Sequence, residues 1–149
     1  MPALRFRCLT WLYDRVIGPT TRERTVKAAI VAHARLGPGA SALDVGAGTG
    51  TLAMMLKRSQ PDATVVGIDG DPRILAIARR KSLSANTLVT WMEAMAQRLP
   101  FERNQFDCVV TSLLLHHLDD TAKVGALVEM RRVLRPGGTL VVADWNQPR

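Results

Sequence analysis

Three alternate glycines and one acidic residue follow a short apolar run in the first third of the chain. They lie in the segment 42–52, where Asp44 precedes Gly46, Gly48 and Gly50. Glycine permits positive φ and lets a ligand approach the backbone without a Cβ in the way. A glycine turn that opens a helix also presents free N–H groups at the positive end of the helix dipole. The segment is therefore predicted to bind a polar small molecule.

The spacing of these glycines argues against two phosphate-binding loops. A dinucleotide fingerprint has glycine at its first, third and sixth positions. Counted from Gly46, the sixth position is Thr51, and Gly50 comes one residue early. A P-loop would need Gly-Lys-Ser/Thr, which does not follow. Because the carboxylate of Asp44 would also repel a pyrophosphate, the turn favours a ligand with a positive group and no phosphate.

A second acidic residue, Asp69, ends the next predicted strand. A carboxylate at that position can accept hydrogen bonds from both hydroxyls of a ribose. The alternative is a helix-capping aspartate, but Asp71, followed by Pro72, already supplies a helix N-cap and a first-turn proline. We therefore favour a ribose-binding role for Asp69.

Length and composition indicate one ordinary globular domain. The chain has 149 residues, of which 47% are hydrophobic and 22% are charged. Its two cysteines, Cys8 and Cys108, have no metal-type spacing, and a cytoplasmic location with no metal site fits best. No apolar run approaches the roughly 20 residues of a membrane span. The net charge of +7 is spread over several predicted helices, which favours a generally basic surface over nucleic-acid binding.

Strands and helices are predicted to alternate along the chain. Such alternation is typical of an α/β fold with a parallel, doubly wound sheet whose ligand binds at the carboxyl edge. The predicted strands are 41–45, 64–68, 87–91, 106–111 and 139–143. The predicted helices are 4–17, 20–34, 49–58, 72–83 and one from Asp119 or Asp120 to residue 134.

The first two predicted helices make residues 1–40 an N-terminal helical segment ahead of a core at 41–149. Two interpretations of this segment are open. It covers the ligand as a lid, or it packs beside the sheet.

Five motifs in order resemble the class I S-adenosylmethionine-dependent methyltransferases, in particular the small-molecule branch of ubiquinone and menaquinone C-methyltransferases. The resemblance runs from about residue 13 to the chain end. The motifs are Leu-Asp-Val-Gly-Ala-Gly-Thr-Gly at 43–50, Val-Gly-Ile-Asp at 66–69, Leu-Pro-Phe at 99–101 with Phe-Asp at 106–107, Leu-His-His-Leu at 115–118, and Glu-Met-Arg-Arg-Val-Leu-Arg-Pro-Gly-Gly at 129–138.

The resemblance implies a Rossmann-like sheet in the order 3-2-1-4-5, helices on both faces, and S-adenosylmethionine as methyl donor. The glycine turn would contact the methionine part with Asp44 near the ammonium, and Asp69 would hold the ribose beside Gly70. Relatives carry an aspartate where Met95 stands, and it accepts a hydrogen bond from the adenine amino group. Here Met95 would pack on the adenine ring and Ala96 would offer its backbone N–H. Glu93 would be the substitute acceptor for the amino group. The cofactor-binding residues implied are Asp44, Gly46, Ala47, Gly48, Gly50, Asp69, Gly70, Met95, Ala96 and Ser112.

Methyl transfer to a small, partly hydrophobic acceptor by in-line displacement is the implied reaction. His116 and His117 are the candidate bases, needed only if the acceptor must lose a proton; packing among leucines is their alternative role. The fourth strand ends without the Asn/Asp-Pro-Pro-aromatic element of amino-directed methyltransferases. An RNA methyltransferase and a cofactor-binding domain without turnover are the alternatives.

The C-terminal end of the sequence predicts an exposed edge strand. Relatives continue past the fifth strand with a helix and two more strands, which this chain lacks. The fifth strand would then be an exposed edge, through which the chain could form a homodimer. Acceptor identity and the atom methylated are not specified by the sequence.

Overall fold

The computed structural model describes residues 6–8 and 19–144. Within these residues, strands and helices alternate as the sequence predicts. The strands are β1 (Phe6–Cys8), β2 (Ser41–Val45), β3 (Thr64–Asp69), β4 (Thr90–Glu93), β5 (Phe106–Ser112) and β6 (Leu134–Ala143). The helices are α1 (Pro19–Ala34), α2 (Thr51–Ser59), α3 (Pro72–Ser84) and α4 (Asp120–Val133), with a 3-10 helix at Leu115–His117.

All six strands join one parallel sheet in the order β1-β6-β5-β2-β3-β4. The strands β2 to β6 alone have the order 3-2-1-4-5, which confirms the predicted fold. Successive residues of a strand point to opposite faces, and each face has its own core. Ala42 packs with α1 and α2 residues on one face, and Leu43 packs with α4 residues on the other. The helices therefore cover both faces.

The N-terminus differs from the prediction. A helix was expected over 4–17, but Phe6–Cys8 form β1, which pairs with β6 from Leu140 to Val142; residues 9–18 lie outside the described part. An open edge strand presents unpaired N–H and C=O groups that another strand can satisfy. Here the chain's own β1 does so. The strand predicted as the fifth is β6, and residues 140–142 of it are paired with β1. The prediction that this edge is exposed is therefore wrong, and the expected homodimer through it loses its basis.

Two strands begin three or more residues away from the predicted position, for local reasons. β4 begins at Thr90 rather than at 87, because the N–H of Thr87 donates to the carbonyl of Ser82 and closes the end of α3. β6 begins at Leu134 rather than at 139, so the predicted turn at 136–138 lies within this strand. The pairing of β6 with β5 shifts register there. Neither change moves a residue of the ligand edge.

Helix α1 packs against β5, β6 and α2. Its apolar residues Val26, Ile30 and Ala34 recur every four positions, so they lie on one face, and all three are buried. α1 thus packs on the sheet, as one of the two interpretations of the segment 1–40 expects. A lid role for the rest of the segment stays a prediction.

The long loop between β4 and β5 is tied to α4 by one ion pair. Glu129 accepts the N–H of Leu99 at 2.8 Å, and Arg132 donates to the carbonyls of Leu99 at 2.9 Å and Phe101 at 2.8 Å. Arg132 also donates to Glu129. Hydrogen bonds that involve a charged group are stronger than neutral ones, so this pair holds the loop in place beside the ligand edge.

Trp91 of β4 lies directly against two glycines. A Cβ on Gly67 would stand 2.5 Å from the Trp91 ring, and a Cβ on Gly50 would stand 2.4 Å from it. The indole N–H donates to the hydroxyl of Ser82 at 3.0 Å, so the ring has little freedom to move. The absence of a side chain at Gly50 and Gly67 is thus what lets the glycine turn and β3 pack on this ring.

We predict that Gly67→Ala lowers the free energy of unfolding by roughly 1–3 kcal/mol, because the added methyl group overpacks against Trp91. Gly37→Ala is the matched control, since a Cβ at Gly37 would meet nothing within 4 Å. Urea unfolding of both variants measures the difference. A Gly67→Ala variant as stable as the control would contradict this packing argument.

Candidate functional site

The carboxyl ends of β2, β3 and β5 meet at one edge of the sheet. In the register, Val45 of β2 lies between Ile68 of β3 and Thr111 of β5. The hydroxyl of Thr111 donates to the carbonyl of Val45 at 2.8 Å, which fixes β5 to β2 at this end. The next residue along each chain segment, Gly46, Asp69 or Ser112, therefore lies at the same edge as the other two.

The glycine turn uses the left-handed region three times. The φ angles are 74° at Gly46, 56° at Gly48 and 86° at Gly50, which is the N-cap of α2. A residue with a Cβ pays a steric cost in this region. Between the glycines, the N–H of Ala47 donates to the carbonyl of Ile68 at 2.8 Å. The alternate spacing seen in the sequence is thus the spacing of the left-handed positions.

Asp69 holds this turn from β3. One carboxylate oxygen accepts the N–H of Gly48 at 2.9 Å, and the other accepts the N–H of Asp71 at 3.0 Å. A carboxylate offers about four acceptor positions, so both oxygens keep capacity for a ligand hydroxyl. The capping role that was the alternative for Asp69 belongs to Asp71, whose side chain accepts the N–H of Arg73. Asp69 instead links the turn to the start of α3.

Asp44 is buried beneath the turn, with 1% of its surface exposed. Its Oδ2 atom has no hydrogen-bond partner among the described residues. Burial raises the pKa of Asp44 to about 7, against the lowering effects of the Lys27 charge and the Ala53 N–H, and with a smaller increase from the Asp69 charge. A buried carboxylate oxygen without a partner is costly, and a cationic group placed beside it would lower that cost.

Two cavities open at this edge, and both are lined by Gly46, Asp69 and Leu114. The larger, of about 370 Å³, lies on the side of Asp44, and we call it the inner cavity. The smaller, of about 250 Å³, lies on the side of Met95, and we call it the outer cavity. The rest of the inner cavity is lined by Glu23, Lys27, Asp44, Ala47, Gly48, Thr49, Leu52, Ile74, Ser112, Leu113 and His117. The rest of the outer cavity is lined by Gly70, Asp71, Ala94, Met95, Ala96, Gln97 and Leu118.

The outer cavity contains the residues expected to face an adenine. Gly70 and Met95 oppose each other closely, since a Cβ on Gly70 would stand 2.7 Å from the Met95 sulfur. Gln97 has a buried Oε1 without a hydrogen-bond partner among the described residues. Glu93, expected as a substitute acceptor, does not line this cavity.

The two candidate histidines have different surroundings. His117 lines the inner cavity. His116 instead donates from Nδ1 to Asp144 at 2.6 Å and from its backbone N–H to the same carboxylate at 3.2 Å. The two rings are in contact, with centroids 3.9 Å apart. The structure thus places His117 at the cavity and His116 behind it, held by Asp144.

The sequence did not predict a site role for three polar residues of this region: Glu23, Lys27 and Asp144. Their signal in the sequence is weak, because each is an ordinary helix, loop or strand-end residue whose role depends on a distant element. Glu23 and Lys27 reach the site from α1, and Asp144 follows β6.

The strand order and the left-handed turn together define the class I architecture of S-adenosylmethionine-dependent methyltransferases. A model of the methyltransferase domain matches residues 42–138, and the chain belongs to this family. S-adenosylmethionine is the methyl donor that the family implies.

Named relatives agree with this assignment. The demethylmenaquinone methyltransferase of Thermus thermophilus is 46% identical over 106 residues, which cover 71% of this chain and 47% of that protein. The ubiquinone/menaquinone biosynthesis C-methyltransferase of Desulfotalea psychrophila is 38% identical over 112 residues, covering 74% of this chain and 44% of that protein. The chain therefore spans less than half the length of these two relatives.

Among solved structures, the PH0226 protein of Pyrococcus horikoshii superposes with a TM-score of 0.74. It is 23% identical, and the match covers 89% of this chain and 60% of that one. At this identity the likeness bears on the fold alone.

The described residues contain neither a membrane-spanning helix nor a metal-binding cluster. No described helix is long and apolar enough to cross a membrane. Within residues 6–8 and 19–144, no group of three or more His, Cys, Asp or Glu side chains is placed to bind a metal.

We predict that Asp44 makes the ligand-free protein less stable as the pH rises from 4 to 7. The folded-state pKa of about 7 lies above the ordinary value of 3.8, so in this range the folded state binds the proton that the unfolded state releases. At about 1.36 kcal/mol per pKa unit, the loss is at most roughly 4 kcal/mol. Asp44→Asn removes it, so the difference in unfolding free energy between variant and parent should grow with pH. A pH-independent difference would contradict the prediction.

Proposed function

We propose that this chain binds S-adenosylmethionine across the inner and outer cavities and transfers its methyl group to a small, partly hydrophobic acceptor. The observation that carries the proposal is the position of Asp69 and Gly46 between two cavities, one of which contains the unpartnered Asp44 oxygen. A ligand with an amino-acid end and a nucleoside end matches this arrangement.

The inner cavity would receive the methionine part. The ammonium would lie beside Asp44, where a cation offsets the cost of a buried carboxylate. The backbone of Gly46, Ala47 and Gly48 would follow the ligand closely, since glycines leave no side chains in its path. Gly50, also expected to bind the cofactor, lines neither cavity and packs against Trp91. Ser112, at the end of β5, would complete the wall.

The outer cavity would receive the adenosine. Asp69 would accept the ribose hydroxyls while it still holds the turn. The adenine would pack on Met95 beside Gly70, with Ala96 and the unpartnered Gln97 oxygen near its edge. Gln97 is a better source than Glu93 for the acceptor that relatives supply with an aspartate, since it lines the cavity and Glu93 does not.

The donor supplies an electrophilic methyl group, so the protein's main task is to hold the acceptor in line with it. The apolar side chains of Leu113 and Leu114 in the inner cavity favour a partly hydrophobic acceptor and exclude water. His117 would take a proton from an acidic hydroxyl of the acceptor if one must leave. His116, held by Asp144, would position the His117 ring by packing against it.

The named relatives suggest an aromatic quinone precursor methylated at carbon as the acceptor class. RNA methylation and cofactor binding without turnover are the two alternatives, and both are outcomes of the experiment below. A cytoplasmic location stays a prediction from the cysteine content.

We predict that titration calorimetry detects binding of S-adenosylmethionine and not of NAD, because Asp44 lies where a pyrophosphate would be repelled. Asp69→Ala should weaken the affinity by roughly 10-fold or more, as expected when a hydrogen bond to a charged group is lost. Asp62→Ala, away from both cavities, is the control. NAD binding without S-adenosylmethionine binding would refute the proposed function.

Turnover with a labelled methyl donor then identifies the acceptor class, with quinol precursors, total RNA and no acceptor as parallel reactions. Label in RNA alone would favour the first alternative, and binding without label in any acceptor would favour the second.

For a hydroxylated acceptor, we predict that His117→Ala lowers kcat by about 10²–10⁴-fold, the usual contribution of a general base. The affinity for S-adenosylmethionine should stay within about twofold, since a base acts on the acceptor. His33→Ala is the matched control, because His33 lies on α1 and contacts the carbonyl of Ala29 instead. An unchanged kcat would show that catalysis is positioning alone.

A further inference from the structure

The inner cavity carries an uneven set of charges. Its described lining contains three carboxyl groups, from Glu23, Asp44 and Asp69, and one lysine side chain, that of Lys27. S-adenosylmethionine carries an ammonium, a sulfonium and a carboxylate. The acidic groups suit its two cations. Lys27 is left as the cation in the described lining for its anion.

The position of Lys27 is fixed by an ion pair and by the packing of α1. It lies one turn after Glu23 on α1, and the two side chains form an ion pair. Only 14% of the Lys27 side chain is exposed. Because Val26, Ile30 and Ala34 anchor α1 on the sheet, Lys27 is held at the cavity wall.

The other cation near this turn has a different role. Lys81 of α3 donates to the hydroxyls of Thr51 at 2.9 Å and Thr49 at 3.4 Å, and it does not line the inner cavity. It therefore braces the start of α2 from outside. Lys27, in contrast, interacts electrostatically with Asp44. Its charge lowers the pKa of the Asp44 carboxyl, although burial raises that pKa by more. Lys27 and Asp44 thus act on the same end of the cavity.

We infer that Lys27 binds the α-carboxylate of the methyl donor and makes the site specific for a complete amino acid. This inference rests on the proposed function. With the ammonium at Asp44 and the carboxylate at Lys27, both charged groups of the amino acid are paired. A donor that lacks the carboxylate brings a cation and no anion to the same place and gains nothing from Lys27.

The test compares S-adenosylmethionine with decarboxylated S-adenosylmethionine, which lacks only the carboxylate. Lys27→Met keeps the length and the apolar stem of the side chain and removes the charge. It should weaken binding of S-adenosylmethionine by roughly 10-fold, as expected for a lost charge-assisted hydrogen bond. Binding of the decarboxylated donor should be unchanged or tighter, because a repulsive cation is gone. Lys27→Arg should keep most of the preference for the complete donor.

The matched control is Arg24→Met, which removes one positive charge from an exposed position on the same helix, outside both cavities. It should leave both affinities within about twofold, because Arg24 is exposed to solvent and lines neither cavity. Calorimetric titrations and melting curves of all variants give the affinities and show that the proteins are folded.

The outcomes separate the two levels of the proposal. Parent protein that binds neither donor refutes the proposed function and this inference together. Parent protein that binds S-adenosylmethionine, with Lys27→Met unchanged or weakened equally toward both donors, overturns the role of Lys27 alone.

Discussion

The candidate site depends on the two hydrogen bonds that Asp69 accepts. Through them, one carboxylate at the end of β3 holds the N–H of Gly48 in the turn after β2 and the N–H of Asp71 before α3. The parallel register of the strands makes this contact possible, because it brings the carboxyl ends of β2 and β3 to one level. Together with the hydrogen bond from the N–H of Ala47 to the carbonyl of Ile68, this contact ties the three left-handed glycines of the turn to β3.

Asp44, at the same edge of the sheet, lowers the stability of the fold. A buried carboxylate with a pKa of about 7 destabilises the folded, ligand-free protein near neutral pH. Such a cost is typical of functional sites, where stability is sacrificed for a prepared charge. In the proposed complex the ligand ammonium would return part of that free energy, so folding and binding would be coupled through one side chain.

Two supports keep the cavities in shape. The Trp91 ring packs on Gly50 and Gly67 and sets the height of the glycine turn above the sheet. The Glu129–Arg132 pair fixes the loop after β4, which brings Met95 to the outer cavity. Both supports are polar or aromatic groups with defined partners, and therefore leave little freedom to the residues that line the site.

The sequence by itself determined the strand order through the resemblance, the turn and its left-handed glycines, and the positions of Asp44 and Asp69. These are local signals, readable from spacing within one loop or at one strand end. Only the tertiary structure decided that Phe6–Cys8 extend the sheet, that Asp144 holds His116, and that Lys27 lines the inner cavity. Each of these is a contact between elements far apart in the chain. Such contacts follow from how α1 and β6 pack on the sheet, and no residue pattern within one element encodes them.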